Sequence, residues 1–367
     1  MRTALPPSVK TIYSPVALGE LELANRVVMA PLTRTRSGED GVPDQLVAEY
    51  YAQRASTGLI VTEGTYPTRE SRSYPGQPGI VDDAQQAGWA RVADAVHGRG
   101  GRLFMQVMHG GRVSHTAING CDRVVGPSAI AVEGEAHTPE GKLPYPVPHA
   151  LTTEEVEQTR DAFVAAARRA VDAGLDGVEV HGANGYLLHE FLAPSSNQRE
   201  DRYGGSPENR VRFVVEVVTA VAAEVGASRV GLRISPAHDV QSVLEPDAAD
   251  DATTYGLLVD ALRPLGLAYL SVLHAEPTGE LVQGLRRRFG GHLMINDGFG
   301  VVTTREDAES LVEQGAADSV AVGRMIIANP DLVERWHGGH GENEPDPSTF
   351  YGGGPEGYTD YPFLSAA

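Results

Sequence analysis

Eight short apolar runs, separated by eight segments with helical periodicity, constrain the fold of this chain more than any other feature. The runs have the length of buried strands, and the segments between them repeat apolar residues every three or four positions. The strand-like runs cover residues 27–31, 59–65, 103–109, 177–183, 230–236, 267–274, 292–298 and 319–324. The helical segments cover residues 44–57, 83–99, 153–173, 206–225, 250–262, 280–289, 303–314 and 325–336. This alternation predicts an α/β fold, a (β/α)8 TIM barrel.

An open, doubly wound sheet is the rival arrangement for alternating strands and helices. It would show a glycine-rich turn directly after the first strand, but residues 32–36 read Leu-Thr-Arg-Thr-Arg. The barrel is therefore favoured, and a single domain covering residues 1–367 is within the size range of barrels that carry insertions.

Three segments lie outside the alternation. Residues 16–26 read as two short strands around a glycine turn, which predicts a β-hairpin lid at one end of the barrel. Residues 110–151 follow the third strand, on the face where barrel active sites lie, and are predicted to form a capping insertion. Residues 338–367 form a C-terminal extension rich in glycine and aromatic residues, typical of an ordered loop.

Composition excludes several classes of function. With 30 basic against 49 acidic residues the net charge is −19, which argues against a nucleic-acid partner. No apolar run approaches the ~18 residues that span a bilayer, and residues 1–15 lack the apolar core of a signal peptide. We therefore expect a cytoplasmic enzyme with small-molecule partners and no membrane contact, either a monomer or a homo-oligomer.

Cys121 is the only cysteine in the chain. It excludes an intrachain disulfide, a cysteine-based zinc site and an iron–sulfur cluster held within one chain. We expect no metal.

The fourth strand ends in a run of polar side chains, His181-Gly-Ala-Asn184-Gly-Tyr186. A lone histidine at a strand end is more often structural. Three hydrogen-bonding side chains within six positions favour an active site, because strand carboxyl ends converge at one mouth of a barrel. The other strands deliver to that mouth Thr33, Glu63, Gly64, Gln106, Met108, His109, Arg233, Gly298, Phe299, Gly323 and Arg324.

The loops after the seventh and eighth strands suggest a phosphate site. They read Gly298-Phe299-Gly300 and Gly323-Arg324, and these two loops commonly bind phosphate in barrels through backbone amides. An arginine adds charge-assisted hydrogen bonds to phosphate oxygens. From these residues alone, ordinary turns are an equally good interpretation.

Several long motifs, in order along nearly the whole chain, resemble the Old Yellow Enzyme family of FMN-dependent ene-reductases. They are NRVVMAPLTR, YYAQRASTGLIVTEGT, YPGQPGI, HGGRVSH, HGANGYLLHEFLAPSSNQREDRYGGSPENR, AVGRMIIANPDL and FYGGGPEGYTDYP. The run from Asn197 to Arg210 is especially specific.

The resemblance implies tightly bound, non-covalent FMN, with NADPH or NADH as the hydride donor. In the family pattern Thr33 bonds the flavin C4 carbonyl, Gln106 bonds the pyrimidine edge, and Arg233 lies by N1 and the C2 carbonyl. The positions that match FMN-binding residues are Pro31, Leu32, Thr33, Gly64, Gln106, His181, Arg233, Gly298, Phe299, Gly323 and Arg324.

The resemblance also implies a division of catalytic roles. His181 and Asn184 match the pair that hydrogen-bonds the activating oxygen of the substrate, and Tyr186 matches the proton donor to Cα. Thr33 would tune the flavin. The implied reaction is ping-pong reduction of activated C=C bonds in α,β-unsaturated carbonyls and nitroalkenes, and of nitrate esters. A phenol with a pKa near ~10 is protonated at neutral pH and serves as a general acid without a large shift.

Tyr74, Met108 and Tyr351 match substrate-pocket positions. Many family members carry tryptophan where this chain has Met108, which predicts a roomier pocket and puts a substrate orientation borrowed from those relatives in doubt. Two alternatives to the reductase are a barrel glycoside hydrolase using Glu63 and Glu179, and a protein that only binds FMN. Glu179 shares strand parity with His181, so it is expected inside the barrel, where pairing with a cation is the more ordinary role.

Overall fold

A computed structural model describes residues 10–364 and confirms the predicted TIM barrel with its amino-terminal hairpin and its insertion after the third barrel strand. The strands are β1 Val16–Leu18, β2 Leu21–Leu23, β3 Val27–Met29, β4 Leu59–Val61, β5 Leu103–Val107, β6 Val125–Gly126, β7 Glu135–Thr138, β8 Gly141–Pro144, β9 His149–Ala150, β10 Gly177–Gly182, β11 Val230–Ile234, β12 Tyr269–Leu273, β13 Leu293–Asn296 and β14 Ser319–Val322. The helices are α1 Gln45–Gln53, α2 Asp83–His97, α3 Thr116–Asn119, α4 Thr153–Asp172, α5 Leu187–Leu192, α6 Pro207–Arg210, α7 Arg212–Val225, α8 Ala248–Leu262, α9 Glu280–Phe289, α10 Arg305–Glu313, α11 Arg324–Ala328 and α12 Leu332–Gly338.

The barrel consists of parallel strands in the order β3, β4, β5, β10, β11, β12, β13 and β14, with β14 closing onto β3. Every residue of these strands is buried, as expected for parallel sheets covered on both faces. One apolar core lies between the sheet and the helices, and a smaller one includes Phe104, Tyr269 and Met294 together with Leu18 and Leu23 of the hairpin. The predicted strands run one to four residues past the observed ladders, because those residues leave the sheet and turn toward the site.

The helix predictions hold with two changes. The predicted helix 206–225 is α6 followed by α7, although Val211 between them keeps helical backbone angles. The predicted helix 325–336 is α11 followed by α12, because Asn329 precedes Pro330 and leaves the helical region at φ −126° and ψ 86°. Thr152 and Glu155 form a reciprocal capping box at the start of α4.

The hairpin β1–β2 covers the amino-terminal end of the barrel, opposite the carboxyl ends of the strands. Its turn residue Gly19 lies so close to Ser228, just before β11, that a Cβ atom there would come within 2.1 Å of the Ser228 carbonyl oxygen. Side chains of Leu18 and Leu23 are fully buried. The hairpin therefore closes the end of the barrel that does not carry the predicted site.

The insertion, residues 110–151, contains α3, a parallel pair of β6 with β9, and an antiparallel hairpin of β7 with β8. The tail is held mainly by two buried arginines just after β3: Arg34 donates to the carbonyls of Phe350 and Gly357, and Arg36 to that of Thr349. Among residues 10–364, no helix is both long enough and apolar enough to cross a membrane.

Candidate active site

Polar side chains from neighbouring strands meet at the carboxyl end of the barrel. Strand register places His181 beside Arg233, and Glu179 beside Gln106. His181, Asn184 and Tyr186 are all buried, with exposed fractions of 2%, 8% and 7%. The run that the sequence singled out is thus buried at the mouth of the barrel, where the substrate pocket is predicted.

The tautomer of His181 is set by its neighbours inside the barrel. The Gln106 side-chain amide donates both to Glu179 Oε1, at 2.8 Å, and to His181 Nδ1, at 3.2 Å. The Tyr269 hydroxyl donates to the other Glu179 oxygen at 3.0 Å, so the carboxyl group fixes the orientation of the amide. Because Nδ1 accepts, a neutral imidazole carries its proton on Nε2 and offers it as a donor.

His181 is held in its neutral form. Burial lowers its pKa well below the ordinary value, and the positive charge of Arg233 lowers it further. The sequence indicated that Glu179 would pair with a cation. Its direct partners are instead Gln106 and Tyr269, while the charge of Arg233 acts on it by opposing the rise in pKa that burial causes.

Asn184 has a left-handed backbone with φ 60°, held at both of its peptide groups. Its N–H donates to the Ser235 hydroxyl at 2.8 Å, and its carbonyl accepts from the Gln241 side chain at 2.9 Å. The side-chain Oδ1 is buried and without a partner among the described residues. The backbone is fixed while the amide stays available to a ligand.

The Tyr186 hydroxyl lies 2.6 Å from the Tyr74 hydroxyl, and its ring centroid lies 5.3 Å from that of His181. Burial raises the pKa of Tyr186, and hydrogen bonds from Tyr74 and Gln241 offset only part of this rise. The pKa of Tyr74 also lies well above its ordinary value, through burial and the proximity of Tyr186. Both phenols are therefore protonated at neutral pH.

The insertion packs on this pocket. Val132 and Tyr145 from the insertion cluster with Met108, Tyr186 and Tyr74. Met108 also lies against Gly64, where a Cβ atom would come within 2.5 Å of the Met108 sulfur. Met108 and the insertion thus line the same pocket, as the position of residues 110–151 predicted.

Arg233 is buried in the barrel with weak protein partners. Its guanidinium donates to Ser271 Oγ at 3.4 Å and to Asn296 Oδ1 at 3.3 Å, and its Nε has no partner among the described residues. Burial lowers the pKa of Arg233, and Glu179 opposes the shift. A buried cation that makes only long hydrogen bonds is suited to an electron-rich ligand.

The loops after β13 and β14 are in contact with each other. Arg324 donates to the Phe299 carbonyl at 2.7 Å, and a Cβ atom on Gly323 would lie 3.5 Å from the Leu32 side chain. Phe299 is 49% exposed, and Pro31, Leu32 and Thr33 are half-buried. Tyr351 is 69% exposed on the tail, so it is not packed into the pocket cluster.

Glu63 is one of the two carboxylates of the hydrolase alternative, and its hydrogen bonds are to the protein backbone. Its Oε2 accepts the backbone N–H groups of Arg34 and Thr35, both at 2.9 Å, which fixes the chain just after Thr33. Glu179 is likewise bound to Gln106 and Tyr269. Both carboxylates are therefore engaged with protein groups and are not free to act as the acid and base of a hydrolase. In residues 10–364 no group of three His, Cys, Asp or Glu side chains is arranged to hold a metal ion.

The residues present fit a flavin. Buried Arg233 lacks strong partners, and two loops with backbone amides meet beside Leu32. Sequence reasoning missed Ser235 and Gln241, which fix Asn184, and Val132 and Tyr145, which line the pocket. Ser235 ends the predicted fifth strand with the same parity as Arg233, whereas Gln241, Val132 and Tyr145 lie in irregular segments where no periodicity marks an inward-facing side chain.

Comparison with known proteins agrees with this site. The model of the NADH:flavin oxidoreductase / NADH oxidase family matches residues 11–343. A probable flavin mononucleotide-dependent alkene reductase of Leishmania infantum is 42% identical over 99% of this chain and 100% of its own. The structure of morphinone reductase, which is also known in complex with tetrahydroNAD, is 43% identical with a TM-score of 0.91, covering 97% of each chain.

A third relative is the old yellow enzyme homologue from Zymomonas mobilis, 37% identical with a TM-score of 0.91, covering 96% of this chain and 100% of that one. The barrel and its pocket define an oxidoreductase of the flavin-dependent TIM-barrel class. The chain belongs to the NADH:flavin oxidoreductase / NADH oxidase family, the Old Yellow Enzyme family. It is an FMN-dependent enzyme that uses a nicotinamide as reductant, and the hydrolase and storage alternatives are set aside.

Proposed function

We propose that this enzyme reduces activated C=C bonds, with His181, Asn184 and Tyr186 acting on the substrate. The observation that carries the proposal is one buried cluster with a neutral imidazole that offers a proton on Nε2, an asparagine whose backbone is fixed at both peptide groups, and a protonated phenol. The substrate class is that of α,β-unsaturated carbonyls and nitroalkenes, with nitrate esters as further candidates. Reduction of alkenes is also what the name of the Leishmania relative describes.

FMN supplies the hydride-transfer chemistry when it is bound. The residues we propose to hold it are Arg233 and Gln106 at the polar edge of the ring, with Thr33 after β3. Others along the ring and at the phosphate are Pro31, Leu32, Gly64, His181, Gly298, Phe299, Gly323 and Arg324. Their task is to bind, to orient and to place positive charge where the reduced cofactor is anionic.

His181 and Asn184 would bind the electron-withdrawing oxygen of the substrate. Addition of hydride at Cβ builds negative charge on that oxygen, and preorganised donors there are worth ~3 to 4 kcal/mol in comparable sites. The Gln106 contact keeps the His181 proton on the ring nitrogen that faces the pocket. The two backbone contacts of Asn184 keep its amide in place without the cost of ordering it during the reaction.

Tyr186 would protonate Cα. Its hydroxyl contacts only one side-chain oxygen, that of Tyr74, which is able to return a proton to it from the other side. Tyr74, Met108 and Tyr351 are proposed to shape the substrate pocket, with Tyr351 reaching over from the exposed tail. The proposal also includes NADPH or NADH as the hydride donor, a cytoplasmic location and a single FMN-binding domain.

Stopped-flow measurement of the two half-reactions with Tyr186→Phe tests the role of the phenol. We expect reduction of the flavin by nicotinamide to keep its rate within about threefold, because no proton from Tyr186 is needed there. Reoxidation by a prochiral enone should slow by about 100-fold, the usual worth of a positioned general acid. The matched control is Tyr145→Phe, since Tyr145 clusters in the same pocket without a hydrogen bond to Tyr186.

A Tyr186→Phe enzyme that reoxidises at the normal rate would remove Tyr186 from the chemistry. A purified protein that is colourless and gains no reductase activity when FMN is added would overturn the function as a whole.

A further inference from the structure

His189 is a fully buried histidine one turn beyond the catalytic run, in α5. Its Nδ1 accepts the backbone N–H of Gly185 at 2.9 Å. Gly185 has φ 79° and stands between Asn184 and Tyr186, the two residues whose side chains are proposed to act on the substrate. The imidazole thus holds the first of the two peptide groups between them.

The contact with Gly185 also decides which tautomer of His189 fits. Since Nδ1 accepts a hydrogen bond, the proton of the neutral ring is on Nε2, and Nε2 lies 3.4 Å from Glu245 Oε1. At this distance the contact is an electrostatic one more than a strong hydrogen bond. A buried carboxylate opposite Nε2 favours the tautomer that leaves Nδ1 free to accept.

Glu245 is itself fixed on both oxygens. Oε1 accepts from the Tyr255 hydroxyl, and Oε2 accepts from the Ala237 N–H, both at 2.8 Å. Burial alone would raise the pKa of Glu245, but His189, Tyr255 and Ala237 outweigh it and lower the pKa. The carboxylate is therefore charged at neutral pH and joins the loop after β11 to helix α8.

This loop, residues 235–247, is pressed against the catalytic run. Ala237, Gln241 and Ser242 have φ of 53°, 53° and 58°, which with Asn184 makes four of the five non-glycine residues with positive φ in the described chain. Such a conformation costs free energy and persists only where surrounding contacts impose it. A Cβ atom on Gly185 would meet the Val240 carbonyl oxygen at 2.8 Å, so the two segments are in close contact.

We propose that His189 and Glu245 are positioning residues for the reaction: Glu245 orients the His189 ring, and His189 holds the Gly185 peptide so that Asn184 and Tyr186 face the same substrate. This inference rests on the proposed roles of Asn184 and Tyr186. Neither His189 nor Glu245 touches the substrate. A misplacement of reacting groups by about 1 Å can lower the rate about 10²-fold. Loss of the His189 contact with Gly185 should therefore lower the rate measurably.

The test compares His189→Leu, His189→Asn and Glu245→Gln as FMN-loaded enzymes. Leucine cannot accept the Gly185 N–H, whereas the asparagine carbonyl can. We expect His189→Leu to slow reoxidation by an enone at least tenfold and to weaken binding of 4-hydroxybenzaldehyde at least tenfold, measured as Kd from the flavin absorbance. His189→Asn should restore both quantities to within about threefold of the wild type, and Glu245→Gln should change both in the same direction as leucine but less.

The matched control is His292→Leu. His292 precedes β13 at the opposite end of the barrel, with Nε2 2.8 Å from Ser319 Oγ. Its replacement is expected to lower Tm without slowing reoxidation. If His189→Leu lowers Tm but keeps the wild-type reoxidation rate and Kd, or if asparagine rescues neither, His189 is only structural and the inference fails. If Tyr186→Phe also reoxidises normally, the fault lies in the proposed function instead.

Discussion

At the scale of single residues, Met108 lies where we propose that the substrate pocket is shaped. It is 2% exposed, lies against Gly64 and clusters with Tyr186 and Val132. A tryptophan in this position needs more volume than the packed site offers, and overpacking of this kind typically costs ~1 to 3 kcal/mol. The indole must therefore displace the insertion or enter the substrate pocket.

We expect Met108→Trp to change the ratio of product enantiomers from a prochiral β,β-disubstituted enone and to lower kcat/KM for bulky enones about tenfold. Chiral chromatography of the products measures the ratio. Met108→Leu, which conserves volume, is the control and should keep the wild-type ratio. An unchanged ratio in the tryptophan variant would show that Met108 does not determine substrate orientation.

The sequence identified the residues at strand ends but not the residues that hold them. His181, Gln106 and Arg233 follow from the rule that carboxyl ends of parallel strands converge. Gln241 does not, because its contact with Asn184 depends on a loop that turns back through positive φ at Gln241. No local pattern encodes that turn, since Gln241 is a residue type that rarely adopts it.

At the scale of elements, α5 and the insertion are joined through Glu190. Its Oε1 accepts the Arg112 N–H at 2.9 Å, while its Oε2 is buried without a partner among the described residues. Burial raises the pKa of Glu190 to about 8, against the opposing charge and N–H of Arg112. The carboxyl is therefore mostly protonated at pH 7 in the folded protein and ionised in the unfolded chain.

This shift predicts a pH-dependent effect of Glu190→Gln. The pKa of Glu190 is about 8 in the folded protein and ~4.3 in the unfolded chain. The free energy of unfolding is therefore highest below pH ~4.3 and falls as the pH rises toward about 8. By linkage the total loss is up to about 5 kcal/mol. Glutamine has no such loss. We expect the Tm of the variant, relative to wild type, to rise between pH 5 and 8 and then to level off.

The control for this measurement is Glu140→Gln on the exposed turn between β7 and β8, which should give no pH-dependent difference. Thermal unfolding followed by tryptophan fluorescence in steps of one pH unit is sufficient. A constant difference between Glu190→Gln and wild type across that range would mean that Glu190 is ionised in the folded state.

Element boundaries show where prediction from periodicity ends. The eight strands and the long helices α2, α4, α8 and α9 follow the pattern closely, because each buries one stripe or both faces against the barrel. Helix α5 was not predicted, since Leu187–Leu192 is buried on all sides and its two polar residues, His189 and Glu190, are buried with the apolar ones. The insertion was predicted only by position, because its short strands pair with one another rather than with the barrel.

At the scale of the whole molecule, the barrel carries a charge that it does not neutralise well by itself. Arg233 is 3% exposed and makes only hydrogen bonds of 3.3 and 3.4 Å to neutral side chains. A buried arginine costs stability unless it is well paired. If its partner is the electron-rich edge of FMN, the cost is present in the flavin-free protein and removed in the loaded one.

Arg233→Met should therefore have opposite effects on the two forms. Without FMN, the variant should unfold at the same Tm as wild type or higher, because the buried charge is gone. With FMN at 100 times the wild-type Kd, wild type gains about 2.7 kcal/mol, and a variant whose Kd is 100-fold weaker gains only about 0.4 kcal/mol. Differential scanning calorimetry of both proteins with and without FMN shows whether the order of their Tm values reverses when FMN binds.

The matched control is Arg54→Met, because Arg54 is fully buried but well bonded. Its guanidinium donates to the carbonyls of Tyr50, Ile326 and Ile327 at 2.8, 2.9 and 2.6 Å. Its loss leaves those carbonyls without a donor in either form, so Tm should fall equally with and without FMN. If Arg233→Met also destabilises the flavin-free protein as strongly as Arg54→Met, then Arg233 stabilises the barrel itself. Its long hydrogen bonds would then not mean that FMN is its main partner.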